Sequence, residues 1–303
     1  MSEMSKADDT GRRHDASLDD RSRRDFVALS AAIGFAAGTG AVASAGMEVV
    51  EQDVTIKTAD GSCDAALFYP SKGAHPGVLI WTDAFGLRPA FREFGRRLAA
   101  DGYTVLVPNP FYRTAKAPVF TDVASFDFQS EADRAKLPPL MGPLNAPGAA
   151  ESDATAYIEF LDSQSQVNKA KKIGVQGYCM GGPLMLRTAA TLPQRIAAGG
   201  SFHGGGLVTD QPDSPHLLAP KLKARLYIAI AANDDMKQPD AKDKLREAFA
   251  AAKVAAEIEV YPRAQHGWCV PDMPAPGGHP IYNKPDAERA WSKLLALYRA
   301  TIA

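Results

Sequence analysis

The stretch from Ile173 to Pro183, IGVQGYCMGGP, decides the fold of this 303-residue chain. Its first half is a short apolar run, and the segment PLMLRTAATL (183–192) follows it. The first pattern is typical of a strand buried on both faces, and the second is typical of a helix. The sequence therefore predicts a strand, a sharp turn that carries Cys179, and a helix.

The turn has the spacing G-x-C-x-G (177–181), which is typical of a nucleophile presented between a strand and a helix. Glycines suit the two flanking positions because side chains there would collide with the neighbouring backbone. The sulfur of Cys179 would stand at the carboxyl end of the sheet, beside a helix N-terminus whose dipole favours a thiolate. The alternative is a buried structural cysteine, since free cysteines are among the most buried residues.

Two later loops supply partners for a nucleophile. The predicted strand 224–231 is followed by Asp234 and Asp235, and the predicted strand 256–262 is followed by His266. The chain order nucleophile, acid, histidine is the order that this arrangement requires. The histidine would accept the thiol proton, and the acid would fix its tautomer. These residues alone leave the choice between Asp234 and Asp235 open.

Strands and helices alternate along the rest of the chain. A predicted hairpin, VVEQDVTIKT (49–58) and CDAALFYP (63–70), precedes buried strands such as GVLIWTD (77–83). This order predicts an α/β fold: a doubly wound, mostly parallel sheet with helices on both faces, in one domain from 46 to 303. The Pro-rich segment 111–148 is predicted to be a loop with one short helix near 131–137, and a loop of this length is typical of a cap over a site.

The segment 1–45 has the pattern of an export signal. A polar stretch leads to Ser22-Arg23-Arg24-Asp25-Phe26-Val27, an Ala/Gly-rich apolar stretch and Ala43-Ser44-Ala45. These features resemble a twin-arginine signal peptide. The resemblance implies cleavage after Ala45, transient contact with the twin-arginine export machinery, and a periplasmic or secreted protein. The alternative is a disordered tail that leads into an amphipathic helix.

Composition excludes several classes of protein. The formal net charge of −1 argues against nucleic-acid binding, which needs clustered Lys and Arg. The apolar runs are too short and interrupted for a transmembrane helix, so we expect no stable membrane insertion. Three cysteines are too few for a disulfide framework. His266 and Cys269 have a spacing found in zinc sites but lack further ligands, so we expect no metal.

The chain resembles the dienelactone hydrolase (carboxymethylenebutenolidase) family of α/β-hydrolases. The resemblance is carried by WTDAFGLRPAFREFGRRLAADGYTVLVPNPFYR (81–113), GVQGYCMGG (174–182), DDMKQP (234–239) and QHGWC (265–269). It implies an α/β-hydrolase fold and a cofactor-free hydrolase of small lactones or carboxylic esters that forms a thioester. It also implies a triad of Cys179, an aspartate and His266. The family's spacing to a proline favours Asp235 over Asp234, and both remain candidates.

The resemblance implies further site residues. Asp83 occupies the place of a glutamate that helps to activate the thiol in the family. The backbone N–H groups of Ala84 and Met180 would form the oxyanion hole. Arg113 matches an arginine that contacts the substrate carboxylate, and the position of a second such arginine is occupied by Val270. Half of the anion clamp is therefore missing, which implies an altered substrate preference.

Two aromatic residues complete the candidate site. His203, within SFHGGGL (201–207), and Trp268 are expected to line the substrate pocket. Two other functions compete with hydrolysis. One is a redox or ligand-binding role for an exported thiol protein, and the other is ligand binding by a catalytically inactive α/β-hydrolase scaffold. Neither accounts for the acid and histidine that follow Cys179.

Overall fold

The computed structural model describes residues 46–303, so the predicted signal peptide at 1–45 lies outside the described residues. Eight strands of this part form one sheet in the order β1-β2-β4-β3-β5-β6-β7-β8. The pairs β1–β2 and β2–β4 are antiparallel, and the pairs from β4–β3 to β7–β8 are parallel. The strands are β1 (Val49–Thr58), β2 (Gly61–Pro70), β3 (Gly77–Trp81), β4 (Thr104–Pro108), β5 (Ile173–Tyr178), β6 (Ile196–Phe202), β7 (Arg225–Ala231) and β8 (Ala256–Tyr261).

Helices alternate with the strands after the hairpin. They are α1 (Pro89–Ala100), α2 (Glu131–Arg134), α3 (Pro138–Leu144), α4 (Ala149–Ser163), α5 (Gly181–Thr191), α6 (Ala232–Lys237), α7 (Ala241–Ala251) and α8 (Lys284–Thr301). Within residues 46–303, no helix combines the length and the apolar character needed to cross a membrane.

The two faces of the sheet carry separate hydrophobic cores. In β3, Leu79 and Trp81 belong to the core that includes α4, α5 and α7, whereas Val78 and Ile80 belong to the core that includes α1 and α8. Successive side chains of a strand point to opposite faces, so a strand that is apolar at every position must be covered on both. The predicted doubly wound sheet with helices on both faces is therefore confirmed.

Local structure differs from expectation in two segments. The segment 111–148 contains α3 in addition to the expected short helix, which here is α2. The loop predicted after β7 is α6, so its two aspartates lie in the first turn of a helix. This difference matters because neighbouring helical residues point in directions about 100° apart.

Candidate active site

Cys179 lies at the turn between β5 and α5, in a strained backbone conformation. Its φ is 52°, in the left-handed region that non-glycine residues rarely adopt. A Cβ at position 177 would overlap the carbonyl oxygen of Gly181, and one at position 181 would lie 2.6 Å from the carbonyl oxygen of Trp81. Only glycine fits at both positions. The tight turn that results directs the side chain of Cys179 outward, and its thiol is partly exposed.

Neighbouring backbone holds this turn in place. The N–H of Cys179 donates to the carbonyl of Phe202 at 3.1 Å. The carbonyl of Cys179 accepts from the N–H groups of Gly182 at 3.0 Å and Gly205 at 3.3 Å. The end of β6 and the glycine-rich segment after it therefore support the turn from one side.

The loop after β8 places His266 between a carboxylate and the sulfur. Its Nδ1 is 2.7 Å from Oδ2 of Asp234, and its backbone N–H donates to the side chain of Asn233 at 2.8 Å. Burial opposes the charged form of the ring, but interactions with Asp234 and Cys179 outweigh it and raise the pKa of His266 to about 10. The structure thus brings Cys179, His266 and Asp234 together.

Asp235, the acid favoured by the spacing to Pro239, does not contact His266. Its carboxylate accepts a hydrogen bond from Nζ of Lys242 at 2.7 Å. Because both aspartates lie in α6, the helical rotation between them lets only one face the histidine. The structure corrects the preference for Asp235: the partner of His266 is Asp234.

The two expected oxyanion donors lie at the ends of adjacent strands. Trp81 of β3 pairs with Gly177 of β5, so the residues that follow these strands, including Ala84 and Met180, are brought to the same edge. Among the described residues, neither the N–H of Ala84 nor that of Met180 donates a hydrogen bond. Both groups are therefore available for a developing negative charge.

Asp83 is engaged in a buried ion pair rather than with the thiol. Its two carboxylate oxygens accept from Nη1 and Nη2 of Arg88 at 2.7 and 3.0 Å, and Oδ1 also accepts from the N–H of Phe85 at 2.9 Å. Both side chains are almost fully buried. The carboxylate is thus held by the guanidinium in this structure, and the expected role of Asp83 in activating Cys179 when substrate binds stays a prediction.

Arg88 is a residue of the site region to which the sequence analysis assigned no role. Its Nε and Nη2 donate to the carboxylate of Asp272, both at 2.8 Å. Burial opposes its charge, but Asp83 and Asp272 still raise the pKa of Arg88. The side chain thereby ties the loop that carries Ala84 to the loop that follows His266. Its position in the sequence, between Asp83 and the start of α1, could have indicated that Arg88 lies near the site. Nothing in the sequence indicated that it pairs with Asp272.

Arg113 is also fully engaged by carboxylates. Two of its nitrogens bind Asp153 at 2.7 and 2.8 Å, and Asp60 accepts from Nε and Nη2 at 2.9 and 2.7 Å. Asp153 is completely buried. The expectation that Arg113 binds a substrate carboxylate therefore does not agree with the structure, because the guanidinium already holds two acids in the fold.

His203 and Trp268 lie behind the site rather than on its surface. The ring of His203 is 4.8 Å from that of His266 and 5.5 Å from that of Trp268. Burial, and next the positive charge of His266, hold the pKa of His203 well below its usual value, so this ring is neutral. Because His203 and Trp268 are 1% and 0% exposed, the prediction that they line the pocket is corrected: His203 packs against His266, and Trp268 packs against His203.

A cavity of about 540 Å³ opens beside the turn. Met180 lies in its wall, together with one face of α5 and residues 141–151. Part of the segment predicted to cap the site therefore bounds this cavity. Within residues 46–303, no group of three or more His, Cys, Asp or Glu side chains is arranged to hold a metal ion.

The sheet order and the cysteine turn define the chain as an α/β-hydrolase. More specifically, the chain belongs to the dienelactone hydrolase family, whose model matches residues 63–302. It is a hydrolase of the carboxymethylenebutenolidase type, so the family resemblance and the enzyme class inferred from the sequence are confirmed.

Individual relatives agree with this assignment. The chain is 27% identical over 292 residues to a Methylorubrum extorquens protein provisionally named carboxymethylenebutenolidase, with 92% of each chain covered. It is 27% identical over 197 residues to a Rhodococcus opacus carboxymethylenebutenolidase, covering 65% of this chain and 71% of that one. In fold, it is similar to a Klebsiella pneumoniae protein provisionally named dienelactone hydrolase, with a TM-score of 0.69, 22% identity, and coverage of 83% of this chain and 99% of that one.

Proposed function

We propose that this protein hydrolyses small carboxylic esters or lactones through a thioester on Cys179, with His266 and Asp234 completing a triad. One observation carries the proposal: Nδ1 of His266 is 2.7 Å from Oδ2 of Asp234. The raised pKa of His266, to which Cys179 contributes, supports it. A nucleophile, a base and a residue that orients the base are the parts that acyl transfer requires.

The first half of the reaction forms the acyl-enzyme. With the proton on His266, the thiolate of Cys179 attacks the substrate carbonyl carbon, and the carbonyl oxygen becomes an oxyanion. The N–H groups of Ala84 and Met180 donate to that oxyanion, and each such donor is worth about 3–4 kcal/mol to the transition state. When the tetrahedral intermediate collapses, the C–O bond breaks, and His266 donates its proton to the departing alkoxide.

The second half releases the acid. His266, now neutral, removes a proton from water, which attacks the thioester carbonyl. The C–S bond then breaks, and the thiolate returns beside the protonated histidine. Asp234 occupies Nδ1 throughout and leaves Nε2 to exchange the proton.

The test is to replace each of two cysteines by alanine. Cys179→Ala should lower kcat/KM for p-nitrophenyl acetate by about a thousand-fold or more. Cys269→Ala, which changes a buried thiol, should keep kcat/KM within about threefold of the value for the unmodified enzyme. Peptide mapping after a rapid quench should find one acetyl group on Cys179. Normal turnover by Cys179→Ala would refute the proposal.

The same experiment separates hydrolysis from the alternative functions. In an exported thiol protein with a redox role, or in a scaffold that only binds a ligand, Cys179 would react with an alkylating reagent but the reduced protein would not turn over esters. Ester hydrolysis that is lost on alkylation of Cys179 favours the triad.

We further propose that the chain is exported by the twin-arginine route and cleaved after Ala45. The support is the order of the paired Arg23 and Arg24, the Ala/Gly-rich stretch and Ala43-Ser44-Ala45. Mass spectrometry of the exported protein should find Gly46 at its N-terminus. Substitution of both arginines by lysine should retain the precursor in the cytoplasm, and export of that variant would refute the route.

A further inference from the structure

The 540 Å³ cavity runs away from the nucleophile along one face of α5. Met180, Pro183, Leu184 and Arg187 line it, and their spacing of three, four and seven residues is that of a single helix face. Met180 directly follows Cys179, so this end of the cavity lies next to the turn that carries the thiol. At 1.5 Å per helical residue, Arg187 lies about 10 Å further along the helix axis.

Several apolar side chains outside α5 also line the cavity. Met141, Leu144, Pro147 and Ala150, from α3, α4 and the turn between them, face the cavity. An apolar wall stabilises apolar ligand groups by removing them from water. The part of the cavity that these side chains line therefore suits a hydrocarbon group rather than a charged one.

The charges at the far end do not favour a carboxylate. Arg187 donates to Glu151 at 3.0 Å and to the carboxylate of Asp213 at 2.9 Å. All three side chains line the cavity, so its charged groups together carry one negative charge. With Arg113 bound to acids and Val270 fully buried, these positions present no unpaired guanidinium to a second anion.

We propose that the substrate is an uncharged ester or lactone with an extended apolar group that lies along α5. This inference rests on the proposed function, and it names the class of substrate. The apolar group occupies the space between α5 and residues 141–150, and a carboxylate at its far end is repelled by Glu151 and Asp213. The preferred substrate is thus not a lactone acid.

Gly205 provides a direct means of blocking this cavity. It lies in the cavity wall, and a Cβ added there would meet no atom within 4 Å. Gly142 offers a matched control, since it is exposed, also has no atom within 4 Å of an added Cβ, and does not line the cavity. The same change, Gly→Leu, can therefore be made inside and outside the site.

The experiment measures kcat/KM for p-nitrophenyl acetate, p-nitrophenyl octanoate and the mono-p-nitrophenyl ester of octanedioic acid. For the unmodified enzyme, kcat/KM for the octanoate ester should be at least tenfold higher than kcat/KM for the octanedioic monoester. Gly205→Leu should lower the octanoate-to-acetate ratio at least tenfold, whereas Gly142→Leu should leave it within twofold. Equal or faster hydrolysis of the octanedioic ester, or an unchanged ratio in Gly205→Leu, would overturn the inference.

A second variant tests the charges independently of Gly205. The double substitution Glu151→Gln with Asp213→Asn releases Arg187, so it should raise kcat/KM for the octanedioic ester at least fivefold relative to the octanoate. No change in that ratio would contradict the inference. If the acetate is hydrolysed in a Cys179-dependent way but chain length and charge have no effect, only the substrate class is wrong. Hydrolysis that persists in Cys179→Ala would refute the proposed function itself.

Discussion

His266 and Asp234, 32 positions apart in the chain, are joined by a hydrogen bond of 2.7 Å between Nδ1 and Oδ2. Asp235, the next residue, binds Lys242 instead. This pair of neighbouring aspartates allows the acid of the proposed triad to be identified by a matched substitution.

Asp234→Asn should lower kcat/KM for p-nitrophenyl acetate by roughly a hundred- to ten-thousand-fold, because the amide no longer stabilises the imidazolium or fixes its tautomer. Asp235→Asn, which removes only the contact with Lys242, should lower it less than threefold. Steady-state kinetics on both variants is the measurement. The assignment to Asp234 fails if the larger loss falls on Asp235→Asn.

The raised pKa of His266 predicts a pH-dependent stability. A group whose pKa is about 10 in the folded protein and near 6.5 when unfolded binds its proton more tightly in the folded state. Its contribution is therefore complete below pH 6.5 and is lost as pH rises through 10. Urea unfolding measures the free energy of unfolding of the unmodified protein and of His266→Gln. The difference between the two values should fall by a few kcal/mol between pH 6.5 and 10. A constant difference over that range would contradict the charged state of His266.

The ion pairs of Arg88 predict a large loss of stability on substitution. Arg88→Met leaves the carboxylate of Asp83 buried without a charged partner, and such a loss costs about 3–5 kcal/mol. Arg246→Met removes an exposed pair with Asp243 and should cost less than about 1 kcal/mol. Urea unfolding of the two variants makes the comparison. Equal, small losses would show that Arg88 does not join the two loops.

The left-handed conformation of Cys179 predicts an unusual order of stability among its variants. Glycine adopts a φ of 52° without steric cost, whereas alanine pays about 1–2 kcal/mol there. Cys179→Gly should therefore unfold at a urea concentration at least as high as Cys179→Ala, although glycine usually destabilises a folded segment. A Cys179→Ala protein that is clearly the more stable would show that the turn carries no strain.

The main features of the fold were predictable because they follow from local rules. A strand apolar at every position must be covered on both faces, so β3 and β5 could be recognised as central strands. Glycine is required on both sides of Cys179 by close contacts with backbone, so the motif alone located the tight turn that carries this thiol. His266 was found because the loops after parallel strands meet at one edge of the sheet.

Tertiary structure decided the partners of the charged residues. Asp83 and Arg113 matched positions of known function in sequence, but each is held by an ion pair with residues outside its own motif, and Arg88 binds Asp272 at a distance of 184 positions. The choice of Asp234 over Asp235 depended on the rotation of α6, which the strand–loop pattern did not predict. The strand order and the turn at Cys179 were thus determined by the sequence through steric and hydrophobic requirements that act on adjacent residues. The ion pairs were decided only by the fold, because charge pairing depends on distances between side chains that the chain order leaves open.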